Sequence, residues 1–257
     1  ARIDEVLKGI CKMNKEKGYP KYSNKLWYRG LKSAKYDLVP RIARNGLNTD
    51  YEILYLSRFK SKAITYLEQL PAYPHLNWSS SYWGWLFWMQ HYGVPTRIMD
   101  WTRDALAALV FATTGKSEEE KNEDSAVWCL DPLRLNRTFT FYDFYQRGYI
   151  PNVEEPVVHK FFGPDAKIEN KKPCAVTGPM NSPRIIAQKV TFTVFPHIKN
   201  IIPLNEFPDS SDYLWKITVT KDRCGYIAEQ LRSYGFTEPV LFPEMSQIAR
   251  EISAEGF

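Results

Sequence analysis

The stretch from Trp88 to Thr114 constrains the fold of this chain most strongly. It places polar residues between two strongly apolar runs, and the connection between the runs carries Gly93 and Pro95. Both runs are patterned as helices, so two packed helices would hold the polar residues on a short, stiff connection. These polar residues are the first candidates for a functional site: Gln90, His91, Arg97, Asp100 and Thr102.

The periodicity of apolar residues along the whole chain predicts an α+β fold. Helices are predicted over residues 3–18, 51–70, 82–91, 105–113, 221–233 and 245–252. Extended segments are predicted over residues 26–31, 96–101, 126–130, 184–188, 192–195, 213–219 and 239–244. We expect N-terminal helices packed on a mixed, mostly antiparallel sheet. The chain is interpreted as a single domain, residues 1–257, with an N-terminal helix in 1–24 and an irregular, aromatic-rich insertion or lid at 133–179.

Charge and cysteine usage restrict the classes of function. The formal net charge of +5 is a mild basic excess, compatible with a nucleotide, phosphate or nucleic-acid ligand and equally with a slightly basic protein that binds none. No run of five basic residues occurs, which argues against a nucleic-acid arm or a membrane patch. The four cysteines lack the spacing of metal ligands, so we predict no metal and reduced thiols. Without a membrane span or a signal-peptide core, a cytoplasmic location is expected.

Arg29 stands inside an apolar strand, Leu26 to Leu31. Burying an arginine there is costly unless a carboxylate or an anion meets the guanidinium. Two interpretations stay open: Arg29 pairs with a structural carboxylate, or its planar fork holds a ligand phosphate. Arg41 and Arg44 are secondary basic candidates.

Several motifs, in this order, resemble the FRG domain family, named for a Phe/Tyr-Arg-Gly motif. They are Trp27-Tyr28-Arg29-Gly30, the block from Gln90 to Thr102, Phe111-Ala112, Arg184-Ile185 with Gln188, and Leu241-Phe242-Pro243. The resemblance runs from Leu26 to Ile252. The family name by itself implies no reaction.

The same residues also resemble the arginine, serine, glutamate class of ADP-ribosyltransferases. In that class an aromatic-Arg-Gly strand holds NAD, a Ser-Thr-Ser strand leads into a helix ending in Phe-Ala, and a later strand brings a catalytic glutamate. Tyr28-Arg29-Gly30 matches the first element, and Met99 to Thr102 followed by Ala107 to Ala112 matches the second. The resemblance implies NAD as substrate and either transfer of ADP-ribose to a protein or nucleic acid or hydrolysis of NAD, in a toxin or phage-defence effector.

This resemblance gives each candidate residue a role. Tyr28, Arg29, Gly30, Arg97, Asp100 and Trp101 are predicted to bind NAD, and His91, Thr102, Gln188 and Glu244 are predicted to be catalytic. Arginines would pair with the diphosphate, Tyr28 or Trp101 would stack on a base, and Thr102 with Gln188 would bond ribose hydroxyls.

Two departures from the transferase pattern keep other functions open. Asp100-Trp101-Thr102 replaces Ser-Thr-Ser, and Gln188 supplies a neutral amide where a glutamate is expected, although Glu238 or Glu244 is available to replace it. One alternative is a non-catalytic module that binds a nucleotide or nucleic acid. Another is a metal-independent nuclease with His91 and Asp100 as acid and base and Arg97 on the phosphate.

Overall fold

A six-stranded sheet forms the frame of the protein. Its strands are β1 (Trp27–Leu31), β2 (Ile98–Thr102), β3 (Ser125–Leu130), β4 (Cys174–Val176), β5 (Val190–Val194) and β6 (Leu214–Val219). They lie in the order β4-β5-β2-β1-β3-β6, and every neighbouring pair is antiparallel. The computed structural model describes residues 3–16, 18–19, 25–44, 46–63, 65–66, 81–138, 149–166, 171–179, 183–243 and 253.

Helices connect and cover these strands, which confirms the predicted α+β fold. They are α1 (Ile3–Glu16), α2 (Arg41–Arg44), α3 (Asp50–Ala63), α4 (Tyr82–His91), α5 (Ala105–Thr113), α6 (Glu118–Lys121), α7 (Pro132–Arg137), α8 (Pro156–Phe162), α9 (Pro183–Ala187), α10 (Lys221–Ser233) and α11 (Glu238–Leu241). Two predicted strands are wrong: residues 184–187 are helical in α9, and the segment from Pro239 begins inside α11. The helix predicted for 245–252 lies outside the described residues.

Two groups of helices lie side by side on one face of the sheet. One group, α1, α5 and α10, encloses Tyr28 together with apolar residues of β3 and β6. The other, α3, α4 and α8, encloses Val190 with apolar residues of β2 and β4. Tyr28 is paired with Thr102 and Thr102 with Val190, so these residues share a face. The seam between the two groups therefore runs over β1 and β2.

The two central strands diverge at this seam. β1 and β3 pair at five positions, as do β2 and β5, but β1 and β2 pair only at Tyr28 and Thr102. Beyond that row the backbone of Asp100 lacks a strand partner on this side, and its carbonyl accepts a hydrogen bond from Arg29 Nη1 instead. The sheet is therefore split between β1 and β2 beyond this row.

Two features fix helix α5 beside this split: its N-cap residue, Asp104, and its close approach to β1. Asp104 caps the helix, because its side chain accepts from the backbone N–H groups of Leu106 and Ala107. A Cβ atom on Gly30 would lie 1.9 Å from the carbonyl oxygen of Ala108 and 2.7 Å from the nitrogen of Ala112. Gly30 is therefore required by the packing of α5 on β1, apart from any role toward a ligand.

Gly30→Ala is expected to destabilise the protein by about 1–3 kcal/mol, because α5 must move away from the strand to admit the methyl group. Urea unfolding followed by circular dichroism measures this loss. Gly225→Ala is the matched control: Gly225 lies inside α10, and nothing lies within 4 Å of its added Cβ. Alanine is the better helix former, so this control should gain up to about 1 kcal/mol. Equal stability of the two variants would contradict the close approach.

The segment predicted as an insertion or lid contributes to the sheet in its described part. It contains most of α7, all of α8 and the edge strand β4, which the sequence pattern did not predict. Phe161 and Phe162 of α8 pack in the core beside α4. None of its described residues lines the cavity at the split.

The structure also bears on the predicted environment of the protein. No helix in the described ranges has the length and apolar character needed to cross a membrane. Cys11, Cys129, Cys174 and Cys224 are free thiols, as predicted from their spacing.

Candidate functional site

A cavity of about 370 Å³ opens where β1 and β2 diverge. Its volume lies in the range of small-molecule sites. Most of the predicted site residues line it: Tyr28, Arg29, Gly30, Asp100, Trp101, Thr102 and Gln188. The wall also contains Lys32, Tyr36, Arg44, Phe111, Glu120, Arg184 and Phe242. The split sheet thus brings together residues that lie far apart in the sequence.

Arg29 enters this cavity with little to neutralise its charge. Its Nη1 donates to the backbone oxygen of Asp100, and its Nε is enclosed without a hydrogen-bond partner. No ion pair of Arg29 is found among the described residues. Burial and then the charge of Arg44 lower the pKa of Arg29 to about 10, although Asp100 acts in the opposite direction. Burying the charged guanidinium of Arg29 costs folding free energy, and a bound anion would offset this cost.

Arg44, at the end of α2, brings a second positive charge to the same wall. Burial lowers its pKa, and Arg41 lowers it further. In the described part of the chain, its side chain donates to Val39 O at 3.5 Å and makes no ion pair. The sequence marked Arg41 and Arg44 only as secondary candidates, because no local pattern shows that α2 folds back beside β1. Like charges gathered in one cavity are typical of an anion site.

The wall of the cavity also includes a pair of aromatic rings. The rings of Phe111 and Phe242 meet edge to face at 5.7 Å, and the Arg184 guanidinium lies 4.6 Å from the centre of the Phe242 ring. The motif comparison included these residues without giving them a role. Aromatic rings and cationic side chains in one wall fit a ligand that has a planar ring and phosphate groups.

Asp100 is exposed, and its exposed surface faces the interior of the cavity. Gln90 Nε2 donates to Asp100 Oδ1, and the orientation of this amide is fixed because Thr96 Oγ1 donates to Gln90 Oε1 at 2.8 Å. Desolvation by the surrounding wall raises the pKa of Asp100, while Arg29, Arg184 and the Gln90 hydrogen bond lower it by less. A carboxylate that is held in place but costly to ionise is typical of a reacting group.

Thr102 and Gln188 line the cavity, and the Thr102 hydroxyl and the Gln188 Nε2 group make hydrogen bonds within the fold. Thr102 Oγ1 donates to the backbone oxygen of Gln188 at 2.6 Å and accepts from Asp104 N at 2.9 Å. Gln188 follows α9 instead of lying in a strand, and its Nε2 donates to Leu241 O at 2.8 Å. Their hydrogen bonds tie β2, β5 and α11 together, and the predicted catalytic role of these two residues stays a prediction.

Tyr28 and Trp101 are buried and do not offer an open ring for stacking. The Tyr28 ring packs in the core below α5, where burial raises the pKa of its hydroxyl. Trp101 packs on the opposite face of the sheet, and its Nε1 donates to Thr193 Oγ1 at 3.1 Å. Phe111 and Phe242, which also line the cavity, are only partly buried.

Arg97 is enclosed and belongs to the core. Its Nε donates to Glu52 Oε2 at 2.8 Å, and the other guanidinium nitrogens donate to Tyr82 and to the backbone oxygens of Phe162 and Phe195. Burial lowers the pKa of Arg97, but Glu52 and Tyr82 together raise it by more. The predicted contact of Arg97 with a diphosphate is corrected, because its side chain has no surface exposed to a ligand.

His91 lies at the end of α4, beside the rings of Trp88 and Tyr92. It lines a second, smaller cavity of about 40 Å³ that shares Asp100, Arg184, Gln188 and Val190 with the larger one. Glu244 lies outside the described residues. Glu238 begins α11 and is not among the residues that line either cavity.

Comparison with known families gives one finding that bears on this site. The model of the FRG domain family matches residues 24–121, a range that holds β1, α4, β2 and α5 and with them Arg29, Gln90 and Asp100. The match confirms the predicted resemblance for this range. No curated protein and no solved structure matches the chain.

Proposed function

Because residues 24–121 carry an FRG domain whose strands frame this cavity, we propose that the protein binds NAD there and breaks its bond to nicotinamide. The observation that supports the proposal most directly is the positive charge of the cavity wall. Arg29 and Arg44 line the same cavity, neither makes an ion pair among the described residues, and both have lowered pKa values although the charge of Asp100 raises each of them. A diphosphate would add the negative charge that the single Asp100 carboxylate does not supply.

The remaining walls fit the other parts of this substrate. Phe111 and Phe242 would pack against a planar ring, and Arg184 over Phe242 would add a positive charge beside it. Glu120 closes the rim, where it accepts a hydrogen bond from the Tyr36 hydroxyl at 3.0 Å. The cavity thus offers a cationic part, an aromatic part and a polar rim.

Asp100 supplies the carboxylate that the transferase pattern places on a later strand. As nicotinamide leaves, positive charge develops on the ribose, and a negative group already oriented toward it stabilises that charge. Gln90 and Thr96 hold the Asp100 side chain before any ligand binds. ADP-ribose then passes to an acceptor, which for NAD hydrolysis is water.

Arg29→Gln is expected to weaken NAD binding by about 10- to 100-fold, since charge-assisted hydrogen bonds contribute about 1.5–3 kcal/mol. Isothermal titration calorimetry with NAD measures the dissociation constant, and nicotinamide release by the same protein measures the reaction. Arg232→Ala is the control, because Arg232 is exposed on α10 and does not line the cavity. Unchanged affinity in Arg29→Gln would refute the proposed diphosphate site.

A second function is favoured by the hydrogen bonds of Thr102 and Gln188. The fold uses the Thr102 hydroxyl and the Gln188 Nε2 group, which argues against the roles that the transferase pattern implies for them. A module that binds a nucleotide without reaction would need only the cationic and aromatic walls. Saturable, Arg29-dependent NAD binding without nicotinamide release would identify such a module. The nuclease alternative loses its phosphate ligand, because Arg97 is enclosed in the core.

A further inference from the structure

We infer that the acceptor in this site is water, held in the small cavity between α4 and Asp100. The inference rests on the proposed function and names the second substrate of the same site. It makes the protein an NAD hydrolase instead of an enzyme that modifies a macromolecule.

The size of the small cavity limits what it admits. Its volume of about 40 Å³ compares with the roughly 10–15 Å³ that one water molecule requires, so it holds only a few waters. Phe87, Ile185 and Phe192 close it on the apolar side. A volume of this size is filled by water, whereas the side chain of a macromolecular acceptor, with its backbone, needs more room.

The polar lining of the small cavity suits a bound water. Gln90, His91 and Asp100 lie on its wall, and a water there needs two to four polar partners. Gln90 Nε2 donates a hydrogen bond to Asp100 Oδ1, and no other group in the described residues donates to this carboxylate. Asp100 Oδ2 is therefore left to accept a proton from a water molecule.

Asp100 lines both cavities, so it lies at the boundary between the nucleotide and the water. The bond between the anomeric carbon and nicotinamide breaks, and its electron pair neutralises the pyridinium ring. The water oxygen bonds to the anomeric carbon, and one water proton passes to Asp100 and then to solvent. The products are ADP-ribose, nicotinamide and a proton. The raised pKa of Asp100 makes it a better base for this step.

The test follows the ADP-ribose group with NAD labelled on the adenylate phosphate. The wild-type protein is incubated with labelled NAD in the presence and absence of cell lysate, and free ADP-ribose, labelled macromolecules and nicotinamide are measured. We expect free ADP-ribose to equal the nicotinamide released, with or without lysate. Label attached to protein or nucleic acid in proportion to nicotinamide would overturn the water inference and leave NAD cleavage intact.

Two variants test the small cavity itself. Ile185→Phe fills it from α9, and Gln90→Leu removes the amide that holds Asp100. Hydrolysis should fall about 10²-fold in each, the range expected when a positioned base loses its water, while the dissociation constant for NAD changes less than about twofold. Arg232→Ala serves again as the control. Wild-type hydrolysis in both variants would overturn the inference, and absence of nicotinamide release from the wild-type protein would overturn the proposed function together with it.

Discussion

Asp100→Asn is expected to lower the rate of nicotinamide release by about 10²–10³-fold, the loss found when one preorganised charge-stabilising group is removed from an active site. Asparagine keeps the size of the side chain and can still accept from Gln90 Nε2, so the change removes the charge and little else. The measurement is the single-turnover rate of nicotinamide release at saturating NAD. A binding module without chemistry would show no rate in either protein.

The stability of the same variant separates a functional role of Asp100 from a structural one. Because the folded protein raises the pKa of Asp100, its ionised form costs folding free energy. Stability is therefore lost as pH rises from the unfolded-state pKa, about 3.9, through the raised folded-state pKa. Asp100→Asn should be at least as stable as the wild type at pH 7. The free energy of unfolding of the variant should lack the loss between these two pKa values that the Asp100 carboxyl causes in the wild type. A large loss of stability in the variant would mean that Asp100 is a structural group.

The fold was predictable where local patterns and tertiary structure agree. Helix α5 begins at the Asp104 cap and runs through a continuous apolar segment, and β1 to β3 follow their apolar runs. The prediction of a strand over residues 184–188 was wrong because two isoleucines in this segment favour a strand. Pro183 at the first position starts a helical turn there, and Gln188 anchors its end by donating to Leu241 O.

The sequence predicted most of the residues that line the cavity, but it did not show which of its arginines is paired in the core. Arg29 and Arg97 look alike in the sequence, since each stands beside apolar residues of a short strand. What separates them is Glu52, which lies 45 residues before Arg97 and reaches it only through the packing of α3 on α4. Arg97 has this carboxylate, whereas Arg29 has none among the described residues. Pairing across such a separation has no local signal, so the sequence alone does not show which of the two arginines has a buried carboxylate partner.

Glu52→Gln should therefore destabilise the protein by about 3–5 kcal/mol, because it leaves the Arg97 charge buried without a counterion. Both side chains of this pair are fully buried. Glu52 accepts from Arg97 N at 2.7 Å and from Arg97 Nε at 2.8 Å, so the substitution also weakens the anchor of β2. Guanidinium chloride unfolding followed by tryptophan fluorescence measures the free energy of unfolding.

Two further variants show whether burial is the cause of this loss. Glu118→Gln breaks an ion pair with Lys121 at 2.5 Å whose side chains are 88% and 58% exposed, and it should cost less than about 1 kcal/mol. Adding Arg97→Met to Glu52→Gln removes the stranded charge and should recover part of the lost stability. If Glu52→Gln unfolds at the wild-type denaturant concentration, the pair contributes no more than a surface ion pair.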